Sequence, residues 1–316
     1  MPGVSAMTDA LRGIRGEARR ATRFFSVELL LLMPFLVFVG LFELYPILNM
    51  AFRSLFDQNG NFTLQNYINA FTKPQFQTAI RNSLLFATAA SLVGGIGGTF
   101  VAALAVRLPV RWRNLLLSLY ALPMTLSGLV VAFAFIVLLG RNGVLNLLIR
   151  RAFGLPPTVY FNLYDWPGIV MVYAFFQIPL MTLSMAAVFE NLDPNLIEAA
   201  RNLGAGPWQV WRHVVIPVLL PGFLAGMSIQ FAGMMGAFGT VMALVGMAKN
   251  LLSLQIYSHA SESTYNLPQA GALAMVLITI TATGLALLSW GARRLARRRI
   301  LSGARATLRR SGRRAR

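Results

Sequence analysis

Apolar residues in this chain gather in long blocks, without the short alternation of a half-buried strand. Five stretches contain no Asp, Glu, Lys or Arg: Asn82–Val106, Asn114–Gly140, Trp166–Phe189, Val214–Ala248 and Ser263–Ala292. Each exceeds the ~20 residues a helix needs to cross a bilayer. A sixth candidate, Ser26–Phe52, carries Glu28 at its start and Glu43 near its far end. The pattern predicts an all-α integral membrane protein with six spans. The first 25 residues do not read as a cleaved signal, because the apolar segment after them is too long and lacks a small-residue cleavage site.

Composition agrees with this pattern, and charge adds an orientation. Of 316 residues, 56% are hydrophobic and 12% charged, with a mean hydropathy of +0.62, which excludes an ordinary soluble enzyme and a disordered chain. The net charge of +18 comes largely from the ends. Eleven Arg lie between Arg293 and Arg316 with no acid among them, and five lie between Arg12 and Arg23. Lys and Arg accumulate on the cytoplasmic side of membrane proteins. With the N-terminus inside, 21 basic residues fall inside and seven outside, so both termini are expected in the cytoplasm. The chain then divides into a basic segment over 1–25, a six-helix membrane domain over 26–292 and an Arg-rich tail over 293–316. The tail reads as a topogenic anchor touching anionic lipid headgroups, in preference to a nucleic-acid site. No cysteine is present, so disulfides, thiolate metal sites and cysteine nucleophiles are absent.

The spans differ in texture. Gly94, Gly95, Gly97 and Gly98 in the second offer small faces for close helix approach. Pro123, Pro179, Pro217 and Pro221 lie inside or at the ends of spans, where a missing N–H kinks the helix. Between the third and fourth spans, Leu145, Leu148, Ile149 and Ala152 recur at helical spacing before Gly154 and Pro156-Pro157. That spacing predicts a short surface helix followed by a turn.

The loop 190–217, between the fourth and fifth spans, carries the most chemistry. Asp193 can cap a helix beginning at Pro194, and Gly204 can end it in the left-handed conformation. Leu196, Ala199, Ala200 and Leu203 then share one stripe, with Glu198 on the opposite face. A second helix starts at Gly206-Pro207, carries Trp208 and Trp211, and enters the membrane at Pro217. Such an elbow at the end of a bundle suits a cytoplasmic protein partner. His213 and His259 fall on opposite sides of the membrane, with His259 in a polar outer loop, so they cannot share a metal. No phosphate-binding glycine loop of the Walker type occurs.

The run Glu198-Ala199-Ala200, three residues, Gly204, nine residues, then Val214-Val215-Ile216-Pro217 resembles the signature of inner-membrane permeases of binding-protein-dependent ABC importers. Leu44-Tyr45-Pro46 and Arg81-Asn82-Ser83 are similar to other parts of that family. The resemblance implies a type I six-span importer domain in the bacterial inner membrane. It implies ABC ATPase subunits, a second permease subunit and an extracytoplasmic solute-binding protein as partners. The chain itself would hold no cofactor, with ATP and Mg on the ATPase. Glu198 would offer a carboxylate to the ATPase groove, Ala199 and Ala200 would allow close approach, Gly204 would permit the turn, and Ile216 and Pro217 would complete the coupling segment. Gln177, Gln230, Met234 and Phe238 are candidates for the solute pathway. Ala237 to Thr240, with Gln255-Ile256-Tyr257, resembles the spermidine/putrescine, ferric iron and aminoalkylphosphonate group. A polyamine-type solute is therefore expected, with carbohydrate as the alternative. An ATP-independent secondary carrier is the alternative of another class.

Overall fold

The computed structural model describes residues 31–261 and 265–314, with side-chain surroundings as far as Arg294. The basic segment 1–25 and nearly all side chains of the tail lie outside the described residues. Six helical stretches are long and apolar enough to cross a membrane, and the described residues hold no sheet.

In chain order the helices are α1 (Leu31–Arg53), α2 (Gln65–Thr72), α3 (Pro74–Ala105), α4 (Val110–Thr125), α5 (Gly128–Leu139) and α6 (Val144–Phe153). They continue as α7 (Trp166–Glu190), α8 (Pro194–Asn202), α9 (Pro207–Met235), α10 (Gly239–Val245), α11 (Leu252–Ala260) and α12 (Leu267–Arg314).

The centre is α3 against α7, with α9 beside both. Its closeness follows from the glycines of α3. A Cβ on Gly98 would lie 2.5 Å from the Cβ of Met181 and 2.6 Å from the carbonyl of Ile178, and one on Gly94 would overlap Gln177. Backbones can approach this far only where side chains are missing. The Thr182 hydroxyl uses the proximity and donates across the gap to the Gly98 carbonyl at 3.2 Å. By contrast the apolar part of α1 has no buried residue.

Two expected spans are interrupted. Asn114–Gly140 is divided into α4 and α5 at Leu126 and Ser127, both extended, and the window apolar enough to cross runs from Gly128 through α6. Val214–Ala248 is divided into α9 and α10 at Gly236–Phe238. The second halves of both lean together. Gly128 lies against Thr240, where any Cβ would overlap the Thr hydroxyl, and α5 packs on α10 around Val131, Ala132 and Leu244. Continuous apolar runs conceal such breaks because hydrophobicity alone does not report helix continuity.

The polar loop expected around His259 is instead the helix α11, whose Leu252 and Leu254 are fully buried. His259 lies at its end against Phe76, ring centroids 5.4 Å apart. His213 sits at the opposite end of the bundle, within the second turn of α9.

Candidate functional site

The elbow forms as its residues dictate. The Asp193 carboxylate accepts from the Asn195 backbone N–H at 2.9 Å and caps α8, with Pro194 at the first helical position. At the other end Gly204 has φ +81°. The Ala205 N–H reaches the Ala200 carbonyl at 3.1 Å, and the Gly204 N–H reaches that of Arg201 at 2.9 Å. This pair of bonds is a Schellman closure, and it requires the left-handed residue that glycine supplies without a Cβ penalty. The chain turns at once into α9, where the Gln209 side chain accepts from the Gly206 N–H at 2.9 Å.

Within α9 the turn Trp211–Val215 is a π-turn, with the Ile216 N–H bonding the Trp211 carbonyl. Pro217 is the cause. It has no N–H for the His213 carbonyl, and its ring crowds that group, so the ladder loosens to i→i+5 just ahead of it. The same arrangement recurs in α1, where the π-turn Gly40–Leu44 precedes Tyr45-Pro46. Pro217 was legible as a kink site; Pro46 was not, and neither was the added residue per turn.

The stripe differs from expectation. Ile197 and Ala200 face inward against Leu192, Val210 and Trp211, whereas Leu196, Ala199 and Leu203 face out with Glu198. The phase is set by Ile197, which the pattern Leu196, Ala199, Ala200, Leu203 leaves aside. Leu203 is 89% exposed and Trp208 72%. Glu198 has no ion pair among the described residues. Ile216 is exposed and Pro217 half-buried, both just beyond the π-turn. Glu198, Ala199 and Gly204 thus share the outer side of the elbow, and Ala200 fastens its inner side.

The expected pathway residues lie elsewhere, near the middle of the bundle. The Gln230 amide donates to the Gln177 carbonyl at 2.6 Å, and the Gln177 amide donates to the Gln230 carbonyl at 3.4 Å. Both side chains are buried, and the Gln230 side-chain oxygen has no partner. Met234 is buried in the core, while Phe238, at the break before α10, lies against Tyr257 with centroids 5.0 Å apart. Gly233 and Gly239, on either side of that break, have open space where a Cβ would stand. No group of three His, Asp or Glu suited to a metal occurs among the described residues.

A profile of the family described as binding-protein-dependent transport system inner membrane component matches residues 94–301. The chain belongs to this family. As a permease it is 32% identical over 250 residues to the sulfate transport system permease protein CysT of Escherichia coli (strain K12), covering 77% of this chain and 84% of that protein. It is 30% identical over 267 residues to the spermidine/putrescine transport system permease protein PotB of Haemophilus influenzae, covering 82% and 91%. In fold the permease matches a bacterial ABC transporter that imports the acidic polysaccharide alginate, with TM-score 0.69, 18% identity, and 87% and 98% of the two chains covered. The permease is therefore a multi-pass inner-membrane protein with the six-span type I ABC importer architecture.

Proposed function

We propose that the permease forms half of the solute pathway of an ATP-driven importer and couples to an ABC ATPase through the outer side of the α8–α9 elbow. One observation carries this reading: a rigidly capped elbow holds Leu196, Leu203 and Trp208 in solvent. A stable exposed apolar patch marks an interaction surface. Glu198 beside it supplies a charge for orientation, and Gly204 leaves the turn without bulk. The elbow and both termini face the cytoplasm in this reading, as the basic residues favour. A second permease subunit completes the pathway, and an external solute-binding protein delivers the solute. ATP and Mg reside on the ATPase.

The solute is a small charged species, and the first reading is an inorganic oxyanion of the sulfate type. From α3 onward the spans contain no carboxylate between their ends, whereas a polyamine crossing low-dielectric surroundings calls for acidic partners. The sulfate relative supports this reading. The expected polyamine solute is the second reading, supported by the spermidine/putrescine relative. Phe238 and the open glycines at the α9–α10 break are the part of this half best suited to line the pathway, with Gln177, Gln230 and Met234 shaping it from behind.

The test is reconstitution of the permease with its ATPase and binding protein, followed by uptake of labelled sulfate and of labelled spermidine. ATP-dependent sulfate entry supports the first reading, and ATP-dependent spermidine entry replaces it with the second. Solute movement by the permease alone would refute the coupling itself.

A further inference from the structure

Behind the elbow, on the side opposite its exposed apolar patch, a cavity of about 610 Å³ opens between the α3–α4 turn, the end of α7 and the start of α9. Three guanidinium groups line it, from Arg107, Arg113 and Arg201, with Glu190 as the single carboxylate. Arg113 Nη1 pairs with Glu190 at 3.3 Å. That pair consumes the one negative charge. Arg107 and Arg201 are exposed, with no ion pair among the described residues, and the buried Nε of Arg113 has no acceptor. The walls nearer the membrane are apolar, from Val106, Phe189 and Val215 at the ends of three spans.

We propose that this cavity binds the headgroup of an anionic phospholipid. The phosphodiester would take donors from Arg107 and Arg201 at the mouth, with the Glu190-paired Arg113 adding positive charge at the wall. The first carbons of an acyl chain would run along Val106, Phe189 and Val215. Guanidinium forks match phosphate oxygens in geometry and charge, and basic pockets between membrane helices at the inner leaflet are suited to acidic headgroups. A water-soluble anion would leave the apolar wall unused. A carboxylate of the ATPase would approach the outer side of the elbow, and Leu196, Leu203 and Trp208 on that side do not line this cavity. Lipid would then brace the elbow from within while the ATPase holds it from without. The inner-leaflet placement and that link to coupling rest on the proposed function; the affinity for an acidic headgroup does not.

The experiment is native mass spectrometry of the full-length permease, delipidated in mild detergent and titrated with phosphatidylglycerol, phosphatidylcholine or inorganic phosphate. One phosphatidylglycerol per chain is expected, in preference to phosphatidylcholine. Arg107→Gln with Arg201→Gln should weaken its retention roughly thirtyfold, with an unchanged melting temperature showing that the variant folds. Arg111→Gln, an exposed Arg outside the cavity, should leave retention unchanged. Equal retention of both lipids, full retention by the double variant, or inorganic phosphate held as tightly as the lipid overturns the proposal. The ATPase is absent from the titration, so failure of the coupling reading leaves this result intact.

Discussion

The short helices α6 and α8 share their local chemistry and differ in what they do with it. Each is about ten residues long, carries apolar and basic residues, and ends on a left-handed glycine, Gly154 at φ +60° and Gly204 at φ +81°. In α6 the polar groups turn back into the subunit. The buried Asn146 amide donates to the carbonyls of Gly140 at 2.8 Å and Leu139 at 3.0 Å, and its oxygen accepts from the Phe161 N–H at 3.0 Å. Arg150 donates to the carbonyls of Arg141 at 2.7 Å and Val159 at 3.0 Å. Among the described residues the polar side chains of α8 make no such bonds: Asp193 caps its own helix, Glu198 has no ion pair, and Ile197 and Ala200 pack against the bundle. Buried polar bonds tie α6 into its own subunit, whereas α8 leaves its outer side uncovered, the side that the proposed function assigns to the ATPase.

The largest effect expected from this contrast lies at α8. Glu198→Lys and Gly204→Asp should each insert into the membrane normally yet reduce ATPase co-purification and uptake at least tenfold (about 1.4 kcal/mol or more). Wild-type association in both would make α8 an ordinary surface helix like α6. Next comes Asn146→Ala, which takes the Asn146 amide from the Leu139 carbonyl and the Phe161 N–H, while the Gly140 carbonyl keeps the Gly143 N–H at 2.8 Å. It should cost about 2 kcal/mol of stability, read as a lower melting temperature, while ATPase association persists. Smaller again are Gly154→Ala and Gly204→Ala. A Cβ would meet nothing within 4 Å at either site, so only the left-handed backbone is penalised, by about 1 kcal/mol in each helix. Equal melting shifts and intact association would show that Gly204→Asp acts through its charge and bulk at the interface.

The smallest effect concerns pH at the end of the bundle where α7 begins. Lys249 donates to Asp165 at 2.7 Å, and this bond, followed by the Trp166 N–H, holds the carboxyl below the ordinary aspartate range. A lowered folded-state value means the contribution is complete above about pH 4 and is lost as pH falls through that lowered value. The melting difference between wild type and Asp165→Asn should therefore be flat at neutral pH and vanish in acid. A difference that grew in acid would contradict the assignment. Because the carboxylate is exposed, the difference should be slight.

How much of this was legible in the sequence depends on the kind of signal. The number of crossings, the α8 cap at Asp193, the turn at Gly204 and the helical spacing of α6 follow from local rules, and the structure agrees with them. The third crossing is displaced, because its apolar window runs from Gly128 to Phe153 and takes in α6, which was expected to lie apart at the surface. The breaks at Leu126–Ser127 and Gly236–Phe238 escape those rules, because an apolar run looks the same whether its helix is whole or divided. Helix α11 escapes because its burial depends on packing against both α3, distant in sequence, and α12, the next helix in the chain. The phase of α8 turns on Ile197 and its contacts with α9, information that no window within α8 contains. The Gln177–Gln230 pairing is likewise a meeting of two helices, invisible until both are placed.

The π-turn at Trp211–Val215 acts as a fixed gear between the elbow and the fifth span. Inserting one residue into a helix of 3.6 residues per turn rotates everything on one side by about 100° relative to the other. Pro217 therefore determines which side of α9 continues the outer surface of the elbow and which continues toward Gln230 and the break at Gly236. Under the proposed coupling, a push received at Trp208 would reach the middle of the bundle with its direction already changed, and a single imino acid would set the angle.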